Sequence, residues 1–237
     1  MKIHFSIDDV LKSFCWLERT NATSIYESFV FSTLKDIHMR YNIPIDVYCM
    51  YQIGESSICE VSDRWRTEFE EAGKWLNFGF HAYKEDSNYN NASAKEVERQ
   101  YKLVEKEIKR ITGCKELADT VRLHYFSGNE NVTLKLRELG VKALLCADDD
   151  RVSYGISQNV LKECGEWYDP KSDMIFLRTD FRVENTLELD VESVLKKAQN
   201  NEHIIFFTHE PLLRDEKILK RIYEILDMIE GDGRNVY

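Results

Sequence analysis

Along this chain, short runs of clustered or alternating apolar residues are followed by longer stretches in which apolar residues recur every three or four positions. A period near two marks strands and a period near 3.6 marks helices. Their regular alternation marks β/α units around a parallel sheet. Seven runs read as strands: Lys2 to Ile7, Ile45 to Tyr51, Phe78 to Tyr83, Thr120 to Phe126, Ala143 to Ala147, Met174 to Thr179 and His203 to Thr208. Helices are expected near Ser24 to Arg40, Ser62 to Trp75, Ala94 to Ile111, Val132 to Leu139, Val191 to Asn200 and Asp215 to Ile229. The clearest stripe is Val97, Tyr101, Val104 and Ile108. Gly140 stands where a left-handed helix cap is needed, and Pro44 sets off the second strand. The one long loop, Arg151 to Asp173, holds Gly155, Gly165 and Pro170 and is expected to fold over one end of the sheet, with room for a small hairpin.

No linker, repeat or low-complexity tract interrupts this pattern, so one domain over residues 1–237 is expected. Seven such units fit an open doubly wound sheet or a closed barrel. A dinucleotide fold would carry G-x-G-x-x-G after its first strand, and a P-loop would carry G-K-[ST]; the sequence has neither there.

Composition narrows the function. With 43% hydrophobic and 12% aromatic residues, the 237-residue chain has ample material for a core. Acids outnumber bases 42 to 32, the net charge is -10, and no basic run tracks a phosphate backbone, which argues against nucleic acid as a partner. Asp8 and Asp9 interrupt the N-terminal apolar run, and no stretch reaches the length of a membrane span, so the expected location is the cytoplasm. Cys15, Cys49, Cys59, Cys114, Cys146 and Cys164 are scattered without C-x-x-C spacing and read as reduced thiols.

The chemistry lies at the strand ends. The first ends at Asp8 and Asp9, the third at His81, the fourth carries Arg122 and His124, the fifth ends at Asp148, the sixth at Asp180 and the last at His209. Singly, such an Asp often caps the next helix and such a His is a hydrogen-bonded structural residue. A β/α barrel, however, gathers the carboxyl ends of its strands into one pocket, where two adjacent carboxylates are costly without a cation. A divalent metal held by Asp9 and His81 would supply that charge and leave Asp8 as a base. Mixed nitrogen and oxygen ligation suits Zn, Ni, Co, Mn or Fe better than Mg or Ca. Aromatic residues, among them Trp16, Tyr83, Tyr125 and Trp167, fall on the predicted loop side. They suit either sugar stacking or plain loop packing.

S-I-D-D (Ser6 to Asp9) resembles the T-F-D-D motif of the polysaccharide deacetylases, the NodB-homology branch of the glycoside hydrolase/deacetylase superfamily. His81 stands where their H-[ST]-x-x-H motif begins, R-L-H-Y (Arg122 to Tyr125) resembles their R-x-P-[YF], and F-F-T-H (Phe206 to His209) resembles their last-strand motif. The resemblance implies an α/β fold, a distorted (β/α)7 barrel with its active site at the C-terminal strand ends. It implies a metal, zinc foremost, on Asp9, His81 and Glu85, the last replacing the motif's second histidine, with Asp86 beside it. By the same resemblance Asp8 is the general base, Arg122 holds it, and His209 is the acid. Tyr125, His124, Asp180 and Tyr83 are expected at the substrate, His124 also being able to reach the metal. The family's Asp-Trp motif has no match; Ser153 and Tyr154 lie nearest its place, and Asp180 or Asp148 would orient the histidine instead. The implied substrate is an N- or O-acetylated sugar, nucleotide- or lipid-linked in one version, within surface-polysaccharide or O-antigen synthesis. The alternatives are a metal-dependent glycoside hydrolase using Asp148 or Asp180, and a catalytically inactive sugar-binding barrel.

Overall fold

The computed structural model describes residues 2–162, 165–198 and 203–231. Its strands are β1 (Lys2–Val10), β2 (Ile45–Ile53), β3 (Ser56–Ser57), β4 (Leu76–Lys84), β5 (Thr120–Val121), β6 (Ala143–Cys146), β7 (Glu166–Asp169), β8 (Met174–Arg178), β9 (Phe181–Arg182) and β10 (His203–His209). Its helices are α1 (Lys12–Thr20), α2 (Phe29–Tyr41), α3 (Arg66–Ala72), α4 (Ala94–Thr112), α5 (Glu130–Glu138), α6 (Val191–Ala198) and α7 (Glu216–Gly231).

Strands β4, β2, β1, β10 and β9 lie side by side in parallel, and β5, β6 and β8 form a second parallel group. Only Thr179 and Asp180 separate β8 from β9, so one run of chain leaves the β6 edge and joins β10. At this handover Thr179 N–H donates to Cys146 O at 3.2 Å and Asp180 N–H to Ile205 O at 2.8 Å. At the opposite seam Ala118 N–H, just before β5, donates to Phe78 O on β4 at 2.7 Å. The result is an α/β fold of the distorted (β/α)7 barrel type, two curved sheets joined at two irregular seams. The seven expected strands occupy its ring positions, and the expected hairpin forms as β7 pairs antiparallel with β8.

Alternation along the strands divides the interior from the outer core. Phe5 and Ile7 of β1 join the main apolar core, where Phe5 and Phe181 both stack on Phe206. The intervening residues His4, Ser6 and Asp8 make their contacts within a polar interior shared with Tyr48, Arg122 and Thr179. A small separate cluster of Tyr48, Leu145 and Ile205, with Leu177 against it, fills the rest. α4 buries the predicted stripe of Val97, Tyr101, Val104 and Ile108, starts on a Ser93 side-chain cap and stops at Gly113 with φ 69°. The five described cysteines are free; Cys164 lies outside the described residues.

Three elements depart from the sequence reading. The fourth strand stops at Val121, and residues 124–126 form a 3-10 turn in which Tyr125 and Phe126 have φ of 58° and 54°. The helix expected from Ser24 is split, because Ser24 and Glu27 make a capping box that closes a 3-10 turn before α2 begins at Phe29. α1 has no counterpart in the sequence reading, since its start at Leu11 offers no capping side chain. Its cap comes from elsewhere: Glu210 accepts from the N–H groups of Leu11, Lys12 and Ser13 at 2.9, 2.9 and 2.5 Å.

Candidate active site

Adjacent residues of a strand point to opposite faces, so Asp8 and Asp9 could not serve one pocket from regular β geometry. The pairing of β1 with β2 shifts register between Ile7 and Val10, and Asp9 has φ 61°. This bulge turns Asp9 round the rim while Asp8 still points inward, opposite His209 in the β1–β10 ladder. A non-glycine residue in this conformation costs energy, and such strain is characteristic of functional positions.

Asp9 meets two imidazoles. Its Oδ1 lies 3.1 Å from His81 Nε2 and 3.5 Å from His124 Nδ1, and the two nitrogens are 3.1 Å apart. Behind them, His81 Nδ1 donates to Arg122 O at 2.6 Å, and His124 Nε2 donates to Glu85 O at 3.0 Å. A carbonyl only accepts, so each neutral ring has its proton on the far nitrogen and a lone pair facing Asp9. Three acceptors thus face one another, and Asp9 Oδ1 is buried without a hydrogen-bond donor. Such a corner requires a cation or added protons. Burial pushes the Asp9 carboxyl up, but hydrogen bonding from His124 and His81, when they carry those protons, holds it far below the usual range. Asp9, His81 and His124 can therefore hold a divalent metal, with the carboxylate and imidazole donor set that suits zinc and its neighbours.

Beside this corner lies a buried ion pair. Arg122, 1% exposed, donates to Asp8 Oδ1 at 3.0 Å and to Ser6 Oγ at 2.8 Å, and its guanidinium sits 3.8 Å from the Phe207 ring centroid. Among the described residues nothing hydrogen-bonds Asp8 Oδ2, which leaves that oxygen able to take a proton. Across the mouth, His209 Nδ1 bonds Glu184 Oε1 at 2.7 Å, while Thr208 Oγ1 donates to the other Glu184 oxygen at 3.0 Å. Burial lowers the His209 pKa, but Glu184, Asp8 and Asp9 outweigh it and raise the imidazole above its ordinary 6.5. With Nδ1 held by Glu184, Nε2 is the nitrogen left for chemistry.

The remaining expected residues divide between the cavity over Asp9 and positions away from it. Glu85 is exposed at the edge of the cavity over Asp9 and His124; its carboxylate accepts from Gly54 N–H at 2.9 Å, and its backbone carbonyl accepts from His124. The third donor beside Asp9 and His81 is thus the imidazole of His124 rather than the carboxylate of Glu85. Asp180 accepts from Ile205 N–H at 2.8 Å, four positions before His209 on β10, and Asp148 is engaged by Arg182 and Asn185. The carboxylate that holds His209 is that of Glu184. Tyr83 stacks on Tyr51 at 5.0 Å. Tyr125, 58% exposed, lines a cavity of about 170 Å³ with Asp9, His124, Met50 and Pro211. Glu184 stands in the run Arg178 to Glu184, whose alternating charges suit a salt-bridged strand extension and a substrate contact equally; a 3-10 turn over Val183–Thr186 brings it to His209.

No protein-family model matches the chain, and no curated protein matches its sequence. Solved structures match its fold. A chitin deacetylase from the fungal pathogen Colletotrichum lindemuthianum is 14% identical with a TM-score of 0.57, over 100% of this chain and 84% of that one. A CE4 family pseudoenzyme from Bacillus anthracis is 10% identical with a TM-score of 0.53, over 99% of this chain and 62% of that one. A 4-alpha-glucanotransferase from Thermococcus litoralis is 13% identical with a TM-score of 0.61, over 97% of this chain and 37% of that one. At these identities the likeness is one of fold.

Proposed function

We propose that the protein is a metal-dependent carbohydrate deacetylase that hydrolyses the acetyl group of an acetamido sugar. The observation that carries this reading is the convergence of three lone-pair donors, Asp9 Oδ1, His81 Nε2 and His124 Nδ1, each imidazole backed by a carbonyl. Asp9, His81 and His124 would hold the metal. A bound Zn²⁺ or similar ion supplies Lewis acidity, polarising the acetyl carbonyl and bringing the pKa of water towards about 7.

The chain's own residues supply the proton transfers. Asp8 takes the proton of the attacking water at Oδ2, while Arg122 pairs with the carboxylate and fixes its orientation through Oδ1. His209 enters protonated and donates from Nε2 to the leaving nitrogen, while Glu184 accepts from its Nδ1–H and orients the ring. Each transfer contributes about 10²- to 10⁴-fold. A deacetylase of similar fold supports the substrate class. The glycoside hydrolase reading is weakened because its two carboxylate candidates, Asp148 and Asp180, are both engaged by neighbouring groups.

The test is acetate release from N-acetylglucosamine oligomers and from acetamido sugar derivatives, with elemental analysis of the same sample. Release that stops on chelation and returns with added Zn²⁺ or Co²⁺ is expected. A fully metal-loaded protein that frees no acetate from any of them would leave the inactive sugar-binding barrel as the better reading.

A further inference from the structure

Next to the candidate active site lies a second cavity of about 310 Å³. It shares Lys12, Glu210 and Pro211 with the cavity over Asp9 and His124, so the two meet along that ridge. Its charge is unlike that of the rest of the molecule. In a chain with net charge -10, it is lined by three bases, Lys12, Arg19 and Arg214, and by a single acid, Glu210. That acid is committed, because its carboxylate accepts from the first N–H groups of α1. Among the described residues, the charged heads of Lys12, Arg19 and Arg214 have no ion-pair partner; the Arg214 guanidinium only faces the Phe29 ring at 5.1 Å.

Two further features point to an anion. Ser28, 2% exposed, lines the cavity, and its hydroxyl has no hydrogen-bond partner among the described residues. It is the N-cap of α2, a 13-residue helix that begins without a side-chain cap and without an acid in its first turn. The positive end of that helix therefore opens on the same space as the three bases. Trp16 on the wall offers a partly exposed ring face.

Resting on the deacetylase reading for the neighbouring cavity, we infer that this second cavity is an anion subsite and that the substrate is a phosphorylated acetamido sugar. Its phosphate or diphosphate would sit against Lys12, Arg19, Arg214 and Ser28 while the acetamido group reaches Asp8 and His209. Phosphate suits the cavity because several converging donors and a helix N-terminus match a multiply charged oxyanion better than a single carboxylate. The chemistry is shared by sugars linked to a nucleoside diphosphate and to a polyprenyl diphosphate. A neutral polysaccharide has nothing to place there.

The experiment measures binding to the full-length, metal-loaded protein by titration calorimetry. The probes are UDP-N-acetylglucosamine, a short polyprenyl diphosphate N-acetylglucosamine and the neutral N-acetylglucosamine trimer. At least one diphosphate is expected to bind about tenfold or more tightly than the trimer, charge-assisted contacts being worth about that much each. Arg19→Glu combined with Arg214→Glu should erase the difference, Ser28→Ala should reduce it, and Arg19→Lys with Arg214→Lys should keep most of it. Both arginines are exposed and without an ion-pair partner among the described residues, and thermal melts of the variants check that the fold is kept. Preference for the nucleotide places a base on Trp16, and preference for the polyprenyl arm points to a membrane-derived substrate; either upholds the subsite. Equal affinity for the trimer, or diphosphate affinity untouched by charge reversal, overturns it. Because the readout is binding, the two readings fail separately. Phosphate-dependent binding without acetate release from any probe removes the deacetylase and keeps the subsite. Acetate release from the trimer without any phosphate preference does the reverse.

Discussion

The mouth of the barrel holds two imidazole environments. At one corner His81 and His124 have backbone carbonyls behind them; at the other His209 has the carboxylate of Glu184. A carbonyl accepts a hydrogen bond from the ring N–H but adds no full charge, so the front nitrogen stays a lone pair fit for a metal. A carboxylate adds charge, so the front nitrogen is driven to hold a proton fit for donation. What stands behind a histidine decides what its front can do.

The largest break in this contrast comes from His81→Ala or His124→Ala, each of which removes one of three converging donors. Bound metal by elemental analysis should fall from near one equivalent towards none, and turnover with it. Glu85→Gln, which leaves the Glu85 carbonyl in place, should keep the metal. Retention in both histidine variants would remove the corner as a metal site.

Asp8→Asn sharpens the contrast by leaving in place the carbonyls behind His81 and His124 and the Glu184 carboxylate behind His209. Metal content should hold while acetate release falls about 10²- to 10⁴-fold. Loss of metal in that variant would mean that Asp8, rather than Asp9, is the ligand.

Glu184→Gln exchanges the charge behind His209 for a neutral amide and should lower the His209 pKa. A general acid works below its pKa, so the alkaline limb of the pH–rate profile should move to lower pH. Rates on that limb should fall about tenfold for every pH unit the limb moves. Stability follows the same sign. Because the folded-state pKa lies above the unfolded 6.5, this pair stabilises fully below 6.5 and loses its contribution as pH rises through the folded value. Thermal melts of Glu184→Gln should lack that decline. A pH profile unmoved by the substitution would assign His209 no acid role.

Tyr125→Gly should have the smallest effect. It relieves a left-handed backbone at φ 58° while deleting a half-exposed ring, so stability should change by under about 1 kcal/mol. A KM that rises a few-fold at constant kcat would mark the ring as a binding surface, and an unchanged KM would remove it from the substrate contacts.

Much of this architecture is legible in the pattern of apolar residues. Seven runs give seven ring positions, and the carboxyl ends of parallel strands bring Asp9 near His81 and Asp8 near His209. Less visible is whatever depends on where the backbone leaves regular geometry. Motif spacing points to Glu85 as the third donor, but the chain beyond Val121 leaves the sheet, and the turn at Tyr125 and Phe126 carries His124 over His81. Tyrosine and phenylalanine seldom adopt positive φ, so residue type gives no warning. Glu184 is hidden for a similar reason, inside a run whose alternation resembles a strand but whose chain turns. α1 is hidden because its capping carboxylate comes from the far end of the chain.

That long-distance cap sets the order in which the protein can be completed during synthesis. Glu210 lies 199 positions beyond the first amide it accepts from, and His209 belongs to the same strand end. A nascent chain still short of β10 lacks one of the two neighbours of β1, the clamp on α1 and the proposed proton donor together. The proton-donor side of the proposed site therefore assembles last, after the metal corner of Asp9, His81 and His124 has been synthesised, and chains truncated before β10 should lack deacetylase activity.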